Sequence, residues 1–339
     1  MKTRSRSGFS LVELLVVIAV ITILVAIVLP ALGHARKLAA MTREQLASQQ
    51  VLAAYANYSA DQREATLVGA PHWDWARGPG QNCMFPPDPI RPDARLQGSI
   101  CKIWTWHFWG ATDLPKEVVQ IDKPTYDSFF ERPRSFVPTQ PGNIVQPGND
   151  SYHAALAWHP TFGYNGVYLG GAYTHGAFRA TNWQGTAVPG INPRSSGGLF
   201  YVARSSEMTQ TSRLLVFTSS RGHDVRQDAA FFSYGAIDPV GSGPLRPGHW
   251  LITPPKPHPR NRGSNGSAYT LGGGWHTSDY WDSSKPVNWW GMIDFRHFRQ
   301  AVAGFADGHT EMQRPDELRD MRKWSNYADS PDWTFTPRH

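Results

Sequence analysis

Apolar residues dominate the chain from Leu11 to Leu32, and the pattern changes abruptly after that point. No charged residue occurs in the 19 positions from Leu14 to Leu32. A helix of that length rises about 28 Å, which is close to the hydrocarbon thickness of a bilayer. The apolar run passes directly into a polar helical pattern instead of a small-residue cleavage site. The pattern therefore predicts a membrane-spanning helix that stays on the protein.

A second helical pattern continues from Ala31 to about Arg63. This stretch is rich in good helix formers, and small apolar residues recur on one face at Ala35, Ala39, Leu46, Ala53 and Ala56. Such a stripe suits close packing of the helix against a sheet or against a neighbouring helix. Pro30 lacks an amide donor, so we expect a bend or local loosening where the two helical patterns meet.

Beyond Thr66 the helical period disappears, and proline, glycine and tryptophan become frequent. Short apolar or alternating runs predict strands at residues 100–109, 117–121, 199–203 and 213–219. Tyr164-Asn165-Gly166 predicts a tight hairpin, because Asn-Gly favours positive φ angles. Stretches rich in proline and glycine predict surface loops at residues 69–97 and 235–274. The expected fold class is α+β: a long membrane-spanning and amphipathic helix, then an antiparallel β-sheet head with long Pro/Gly-rich loops.

A second ordered pattern lies near the C terminus, within residues 296–313. Ala301 to Ala306 reads as a strand of small and apolar residues, and His309 to Gln313 reads as its antiparallel partner. Asp307-Gly308 between them predicts a two-residue turn. His297 precedes this hairpin and is followed by nine residues before Asp307.

Charge and cysteine content narrow the function classes. The 339-residue chain carries a net charge of +6, but three of its basic side chains, Lys2, Arg4 and Arg6, lie before the apolar run. Without them the net charge is +3, so a nucleic-acid partner is not expected.

Cys83 and Cys101 could form a disulfide in an extracytoplasmic head or remain two isolated thiols, and their spacing matches no zinc pattern.

The N-terminal sequence Ser7-Gly8-Phe9-Ser10-Leu11-Val12-Glu13-Leu14-Leu15 resembles the type IV prepilin signature. The resemblance implies cleavage after Gly8 by prepilin peptidase, N-methylation of the new terminus Phe9, and docking into a filament through Glu13. Pro30 falls at mature position 22, where pilins often carry a proline.

This resemblance implies four parts of the chain. Residues 1–8 form a leader peptide, residues 9–32 a transmembrane helix and residues 33–64 its amphipathic continuation. Residues 65–339 form an extracytoplasmic head.

His297, Asp307 and Gly308 have the spacing that resembles the processing-associated C-terminal domain of bacterial prepilin-type proteins. The segment from Phe162 to Gly166 and the run from Leu214 to Phe217 are similar to the central region of that family. From their residue types, we expect His297 to hydrogen-bond to a loop carbonyl rather than serve as a ligand or base, and Asp307 to shape the turn rather than hold a cation.

Catalytic and metal-binding motifs do not stand out. The sequence has no nucleophile elbow, no His-Glu-x-x-His helix and no phosphate-binding glycine loop. Acid–base pairs could form from His223 with Asp224 or from His276 with Asp279, and a calcium site from the pairs Asp279/Asp282 or Asp329/Asp332. Nothing in the spacing supports either, so no enzyme, metal or cofactor is expected.

A set of tryptophans could stack on glycans or fill the core, with core packing favoured: Trp104, Trp106, Trp109, Trp289 and Trp290.

These patterns predict a pilin-like or pseudopilin subunit in the inner membrane, single-pass, with a cytoplasmic N terminus. Its expected partners are prepilin peptidase and other pilin or pseudopilin subunits. The alternative is a membrane-anchored binding protein for glycan or another polymer that never polymerises, and a DNA-uptake pilin is a further option. The sequence does not distinguish secretion, motility and uptake systems, nor a major from a minor subunit.

Overall fold

A computed structural model describes residues 11–67, 69, 83–84, 95–96, 104, 160–171, 201–223, 245–262, 269–278 and 280–335. The chain separates into two compact units, residues 1–43 and 44–339. One helix, α1, runs from Leu11 to Asp61 and contains Pro30. Helix is assigned on both sides of this proline without interruption, although a bend or loosening was expected there. A single long N-terminal helix is therefore confirmed.

The described strands are short and follow α1 along the chain. They are β1 (Cys83–Met84), β2 (Arg95–Leu96), β3 (Phe162–Tyr164), β4 (Leu215–Ser219), β5 (Arg221–His223), β6 (Leu245–Pro247), β7 (His258–Arg262), β8 (Tyr269–Gly272), β9 (Ala301–Phe305) and β10 (Thr310–Gln313). The main sheet has the order β10-β9-β4-β3, with every neighbouring pair antiparallel. Three two-stranded ladders, β1-β2, β5-β6 and β7-β8, lie outside it. The predicted α+β class with an antiparallel head is confirmed.

The central strands β4 and β9 are covered on both faces, since all their residues are buried. β4 supplies the continuous apolar run that predicted it, and β9 is built of smaller residues. The small residues let the second part of α1 approach closely. A Cβ atom on Gly304 would lie 2.9 Å from Leu52 Cδ1 and 2.9 Å from Ser48 Oγ. Glycine at this position therefore permits the contact between the helix and β9.

Aromatic side chains continue the same contact across the sheet. The Tyr55 ring on α1 lies 6.0 Å from the Phe217 ring on β4 and 6.2 Å from the Tyr164 ring on β3, measured between centroids. Aromatic pairs at this spacing stabilise a core beyond the area that they bury. Residues from Ser48 to Tyr55 thus pack across β9, β4 and β3.

The face of α1 that packs on the sheet differs from the predicted stripe. Within the head unit, the buried helix residues are Glu44, Ser48, Val51, Leu52, Ala54, Tyr55 and Ser59. Leu46, Ala53 and Ala56 are exposed. Of the two predicted roles for the stripe, packing on this sheet is wrong for these three residues. The physical reason is area, because Val51, Leu52 and Tyr55 together bury more apolar surface than one leucine and two alanines can.

The predicted hairpin at Tyr164-Asn165-Gly166 is wrong. β3 pairs with β4, and Tyr164 also forms a bridge to Leu251. The Asn165 side chain does not serve a tight turn; its Nδ2 donates to Leu215 O at 3.0 Å and to Trp324 O at 2.8 Å. A buried amide that satisfies two carbonyls joins three chain segments, which a surface hairpin residue could not do.

Other local predictions have mixed outcomes. The strand predicted at 213–219 is confirmed as β4. Of the strand predicted at 199–203, only residues 201–203 are described, and they contain an isolated bridge from Val202 to Leu169. Of residues 100–109, only Trp104 is described, and it is helical instead of extended. The predicted strand at 117–121 lies outside the described residues. The region 235–274, expected to be a surface excursion, instead buries Leu251 and Ile252 in the core.

The C-terminal hairpin is confirmed, with a loop one residue longer than predicted. β9 and β10 pair in register from Ala301 with Gln313 to Gly304 with Thr310. Gly308 N donates to Phe305 O at 2.9 Å, and Phe305 N donates to His309 O at 3.0 Å. Gly308 has a φ of +93°. These contacts define a three-residue loop in which glycine takes the left-handed position.

Candidate functional site

The N-terminal part of α1 presents an uncovered apolar surface. Its large apolar side chains from Leu11 to Leu32 are 44–78% exposed in the isolated chain. By length and composition this helix could cross a membrane, and none of its most apolar 18-residue segment is buried in the protein. Apolar surface of this extent is stable only when lipid or other protein covers it. This part of the chain is therefore consistent with a single-pass membrane anchor.

The sequence-predicted anchor residues are only partly described. Glu13 lies in the first turn of α1, where a carboxylate interacts favourably with the helix dipole. Pro30 lies inside the same helix. Gly8 and Phe9 lie outside the described residues, as do Cys101 and the side chain of Cys83.

A second carboxylate on α1, Glu44, lies in the head and is the centre of a buried polar cluster. Its side chain is 6% exposed. Ser219 Oγ donates to Glu44 Oε1 at 2.5 Å, and His297 Nε2 lies 2.7 Å from Glu44 Oε2. Because a carboxylate only accepts hydrogen bonds, the His297 proton belongs on Nε2. The cluster joins α1 to the last residue of β4 and to the segment just before β9.

Two further charges border this cluster. Arg296 Nε lies 3.9 Å from Glu44 Oε2 and 3.3 Å from Asp294 Oδ2. Burial by itself raises the pKa of Glu44, but the Arg296 charge and the hydrogen bonds from His297 and Ser219 outweigh it, so the pKa is lowered. Burial raises the pKa of Asp294, and nearby Arg296 offsets this only in part. Glu44 is thus held as a charged group inside the head.

The Glu44 cluster lacks the arrangement of a nucleophilic triad, although it contains Ser, His and a carboxylate. The Ser219 hydroxyl points to Glu44 instead of His297, and its oxygen accepts from Val302 N at 2.9 Å. In a triad the base contacts the nucleophile. All three side chains are also buried. The geometry suits a joint between helix and sheet rather than a reaction.

The expected side-chain partner of His297 was a loop carbonyl, but its Nε2 instead contacts the Glu44 carboxylate on α1, and it does so from a strained turn. His297 and Gln300 exchange backbone hydrogen bonds of 3.1 and 2.8 Å. The two residues between them, Phe298 and Arg299, have φ angles of +51° and +62°. Such a turn favours Asn-Gly, and bulky residues in it cost about 1–2 kcal/mol each. The contacts around His297 and Gln300 must offset that strain.

The other signature residues lie in the β9-β10 loop. The Asp307 carboxylate accepts from His309 N at 3.2 Å and contacts His309 Nδ1 at 2.5 Å. Burial alone raises the pKa of Asp307, but the contacts with His309 outweigh it and lower the pKa. The His309 ring stacks on Phe305 with 4.6 Å between centroids. Asp307 and Gly308 therefore shape this loop.

Most of the remaining candidate pairs include a residue that lies outside the described part of the chain. Among the residues that the structure describes, no three His, Cys, Asp or Glu side chains form a possible metal site. Asp332 pairs with Lys256 at 2.7 Å, and Asp282 accepts from Ser284 N at 2.8 Å. Asp279, Asp224 and the side chain of His223 lie outside the described residues. Of the acid–base and calcium pairs considered, only Asp329/Asp332 lies wholly within the described residues, and it belongs to no possible metal site there.

The described tryptophans do not form an open stacking platform. Trp104 and Trp290 are buried, and Trp104 Nε1 donates to Trp250 O at 2.7 Å. Trp289 is stacked on His276 with 3.7 Å between ring centroids, and Lys285 Nζ lies 5.6 Å from its centroid. Trp106 and Trp109 lie outside the described residues. Core packing accounts for Trp104 and Trp290.

Sequence reasoning missed Glu44, Ser219, Arg296 and Asp294. Glu44 lies on the same helix face as Ser48, Leu52 and Tyr55, with spacings of four, four and three residues. That spacing is a helical signal. If polar residues are allowed on this helix face, the spacing predicts that the Glu44 side chain faces the head. No comparable signal in the sequence indicates its partners.

Comparison with known proteins adds one match. Residues 3–29 match the family model described as the prokaryotic N-terminal methylation motif. The motif indicates a type IV pilin-like protein that is processed by prepilin peptidase, and it suggests a structural subunit rather than an enzyme. No curated protein and no solved structure matches the chain.

Proposed function

We propose that this protein is a pilin or pseudopilin subunit that is cleaved after Gly8, methylated at Phe9 and assembled into a filament through α1. The observation that carries the proposal is the methylation motif at residues 3–29. The uncovered apolar surface from Leu11 to Leu32 supports it. Lipid covers this surface before assembly, and neighbouring helices cover it in the filament core.

Glu13 has a specific role in this proposal. A carboxylate in an apolar segment costs a few kcal/mol, so its presence there favours a functional reason. Cleavage after Gly8 creates a new α-amino group on Phe9, with an ordinary pKa of about 7.7–8.0. Glu13 of one subunit pairs with this amine of the next, and the charge pair selects the incoming subunit.

The head contributes by holding α1 firmly. In a filament, any load on the head passes to the helix through their contacts. The Glu44 cluster and the packing of Leu52 and Tyr55 on the sheet make those contacts. We propose that His297 stabilises the joint between helix and head, with the head facing the extracytoplasmic side of the inner membrane.

Mass spectrometry of the N-terminal peptide from the native membrane fraction tests the processing step. The proposal expects a peptide that begins at methylated Phe9. The Gly8→Ala variant should retain the leader, because the resemblance places the cut directly after a glycine. An intact Met1 terminus in cells with an active prepilin peptidase would remove the filament hypothesis and leave a membrane-anchored binding protein.

Assembly is tested separately with Glu13→Gln and Glu13→Ala. Both variants should be cleaved and inserted normally, yet be depleted from sheared or copurified filaments relative to the wild type. Val12→Ala, beside Glu13, is the matched control and should assemble as the wild type does. Normal incorporation of Glu13→Ala would refute the charge-pairing role without affecting the processing result.

A further inference from the structure

Three side chains at the edge of the main sheet form a continuous hydrogen-bonded series. Lys323 Nζ donates to Gln313 Oε1, and Gln313 Nε2 donates to Glu311 Oε1 at 2.5 Å. Gln313 is only 5% exposed. A primary amine therefore contacts the oxygen of a buried carboxamide, and a carboxylate contacts the nitrogen of the same carboxamide.

The backbone holds both ends of this series in place. Gln313 is the last residue of β10 and pairs with Ala301 on β9. Lys323 ends a short 3₁₀ helix, Met321–Lys323, whose N-cap Asp320 accepts from Arg322 N at 3.0 Å. Met321, which begins this turn, and Trp324, which follows it, are buried in the core. The amine and the amide thus meet through two ordered elements, and proximity of this kind removes much of the entropic barrier to a reaction.

The chemistry of the three groups is complementary. Burial lowers the pKa of Lys323 even though Glu311, Glu317 and Asp320 raise it. A larger share of the amine is therefore neutral and nucleophilic than on an ordinary surface lysine. Since Nζ already contacts Oε1, the amide carbon Cδ is one carbonyl bond of about 1.2 Å beyond that contact. The Glu311 carboxylate lies where a leaving nitrogen needs a proton.

We propose that Lys323 and Gln313 form an intramolecular isopeptide bond, with Glu311 as the proton carrier. The neutral Nζ attacks Cδ, so the Nζ–Cδ bond forms and the Cδ–Nε2 bond breaks. Glu311 takes the proton released by Nζ and delivers it to Nε2, which leaves as ammonia. Amine and primary amide become a secondary amide, and no oxidant, reductant or further reactant takes part.

The bond links strand β10 to the C-terminal segment that supplies Leu318, Met321 and Trp324 to the core. It would close the chain between residues 313 and 323 and prevent that segment from separating from the sheet edge. The modification goes beyond the proposed filament function and does not depend on it.

Intact-mass measurement of the full chain, purified in detergent, is the first test. The protein should be lighter than its processed sequence by one ammonia molecule. Trypsin should release residues 300–319 joined to residues 323–338, because acylated Lys323 resists cleavage. Lys323→Arg keeps the charge but should abolish the mass loss. Glu311→Gln keeps the shape of the side chain and should greatly slow the loss.

Peptide mapping separates this bond from another source of ammonia loss. Asn165-Gly166 and Asn265-Gly266 can also lose ammonia by forming succinimides, but that loss maps to their own peptides. Linear wild-type peptides that end at residue 319 and begin at residue 324, with full mass, would overturn the proposal. This readout needs no variant to fold, so a destabilised Lys323→Arg protein would not obscure it.

Discussion

The two parts of α1 use the same backbone for opposite purposes. From Leu11 to Leu32 the large apolar side chains are exposed in the isolated chain, whereas Val51, Leu52 and Tyr55 are at most 4% exposed. The helical geometry of both parts is the same, and both are rich in apolar residues. In the second part, the sheet supplies the complementary surface that covers these residues. Apolar content alone therefore does not say what covers a helix.

The two carboxylates of the helix sharpen this contrast. Glu44 meets Ser219 and His297, which lie 175 and 253 positions further along the chain. Glu13 lies in the apolar segment, and we propose that its partner is the terminus of another subunit. A charge in an apolar setting needs such partners in either case. The same residue type thus stabilises the fold at one position and is proposed to specify assembly at the other.

Removing Glu44 should have the largest effect on the head. Glu44→Ala removes the carboxylate partner of His297 and one of the two carboxylates beside Arg296, and breaking a buried charge pair costs about 3–5 kcal/mol. The free energy of unfolding, measured by urea titration of tryptophan fluorescence in detergent, should fall by that amount. Gln50→Ala, on the exposed side of the same helix, should change it by less than about 0.5 kcal/mol. Equal effects of the two changes would contradict the joint.

A pair of leucine truncations compares the two parts of the helix directly. Leu52 is 3% exposed and Leu24 is 57% exposed. Leu52→Ala should lower the free energy of unfolding of the head by about 2–5 kcal/mol through the cavity that it leaves. Leu24→Ala should leave head unfolding unchanged in the same assay. A large effect of Leu24→Ala would mean that the head depends on the anchor for its stability.

The pH dependence of head stability should expose the charge on Glu44. Its folded-state pKa lies below the ordinary value of 4.5, so the unfolded state takes up a proton first as the pH falls. The contribution of Glu44 is therefore complete above pH 4.5 and is lost as the pH falls through the lowered folded-state pKa. Asp294 works in the opposite direction, because its pKa is raised.

A comparison with Glu44→Gln isolates the Glu44 contribution from that of Asp294. The urea midpoints of the wild type and of Glu44→Gln should converge as the pH is lowered below 4.5. A difference between the midpoints that stays constant with pH would mean that the Glu44 charge is not involved.

The smallest expected change is a gain. Arg299 has a φ of +62° and is exposed. Arg299→Gly relieves the left-handed strain, and the free energy of unfolding should rise by about 1 kcal/mol. The control is Arg314→Gly, because Arg314 is also exposed but has no positive φ. That change also removes exposed ion pairs with Asp316 and Glu317, so it should lower the free energy of unfolding. A loss of stability in Arg299→Gly would show that the arginine side chain makes a contact worth more than the strain.

Some elements could be predicted because their signals are local. The long helix followed from an unbroken apolar run and helix-forming residues, β4 and β9 followed from short apolar runs, and β10 followed from the Asp307-Gly308 turn after β9. The Asn165-Gly166 prediction failed because the Asn165 amide is satisfied by distant carbonyls at Leu215 and Trp324. Local preference was overridden there by a buried hydrogen-bonding requirement.

The sequence by itself determined the anchor, its processing motif and the α+β class, since each depends on composition or spacing within a few tens of residues. Only the tertiary structure decided which helix face packs on the sheet, and that Glu44, Ser219 and His297 meet. The reason is that a buried charge is tolerated only where several partners converge, and convergence across 253 positions is set by the packing of the whole head.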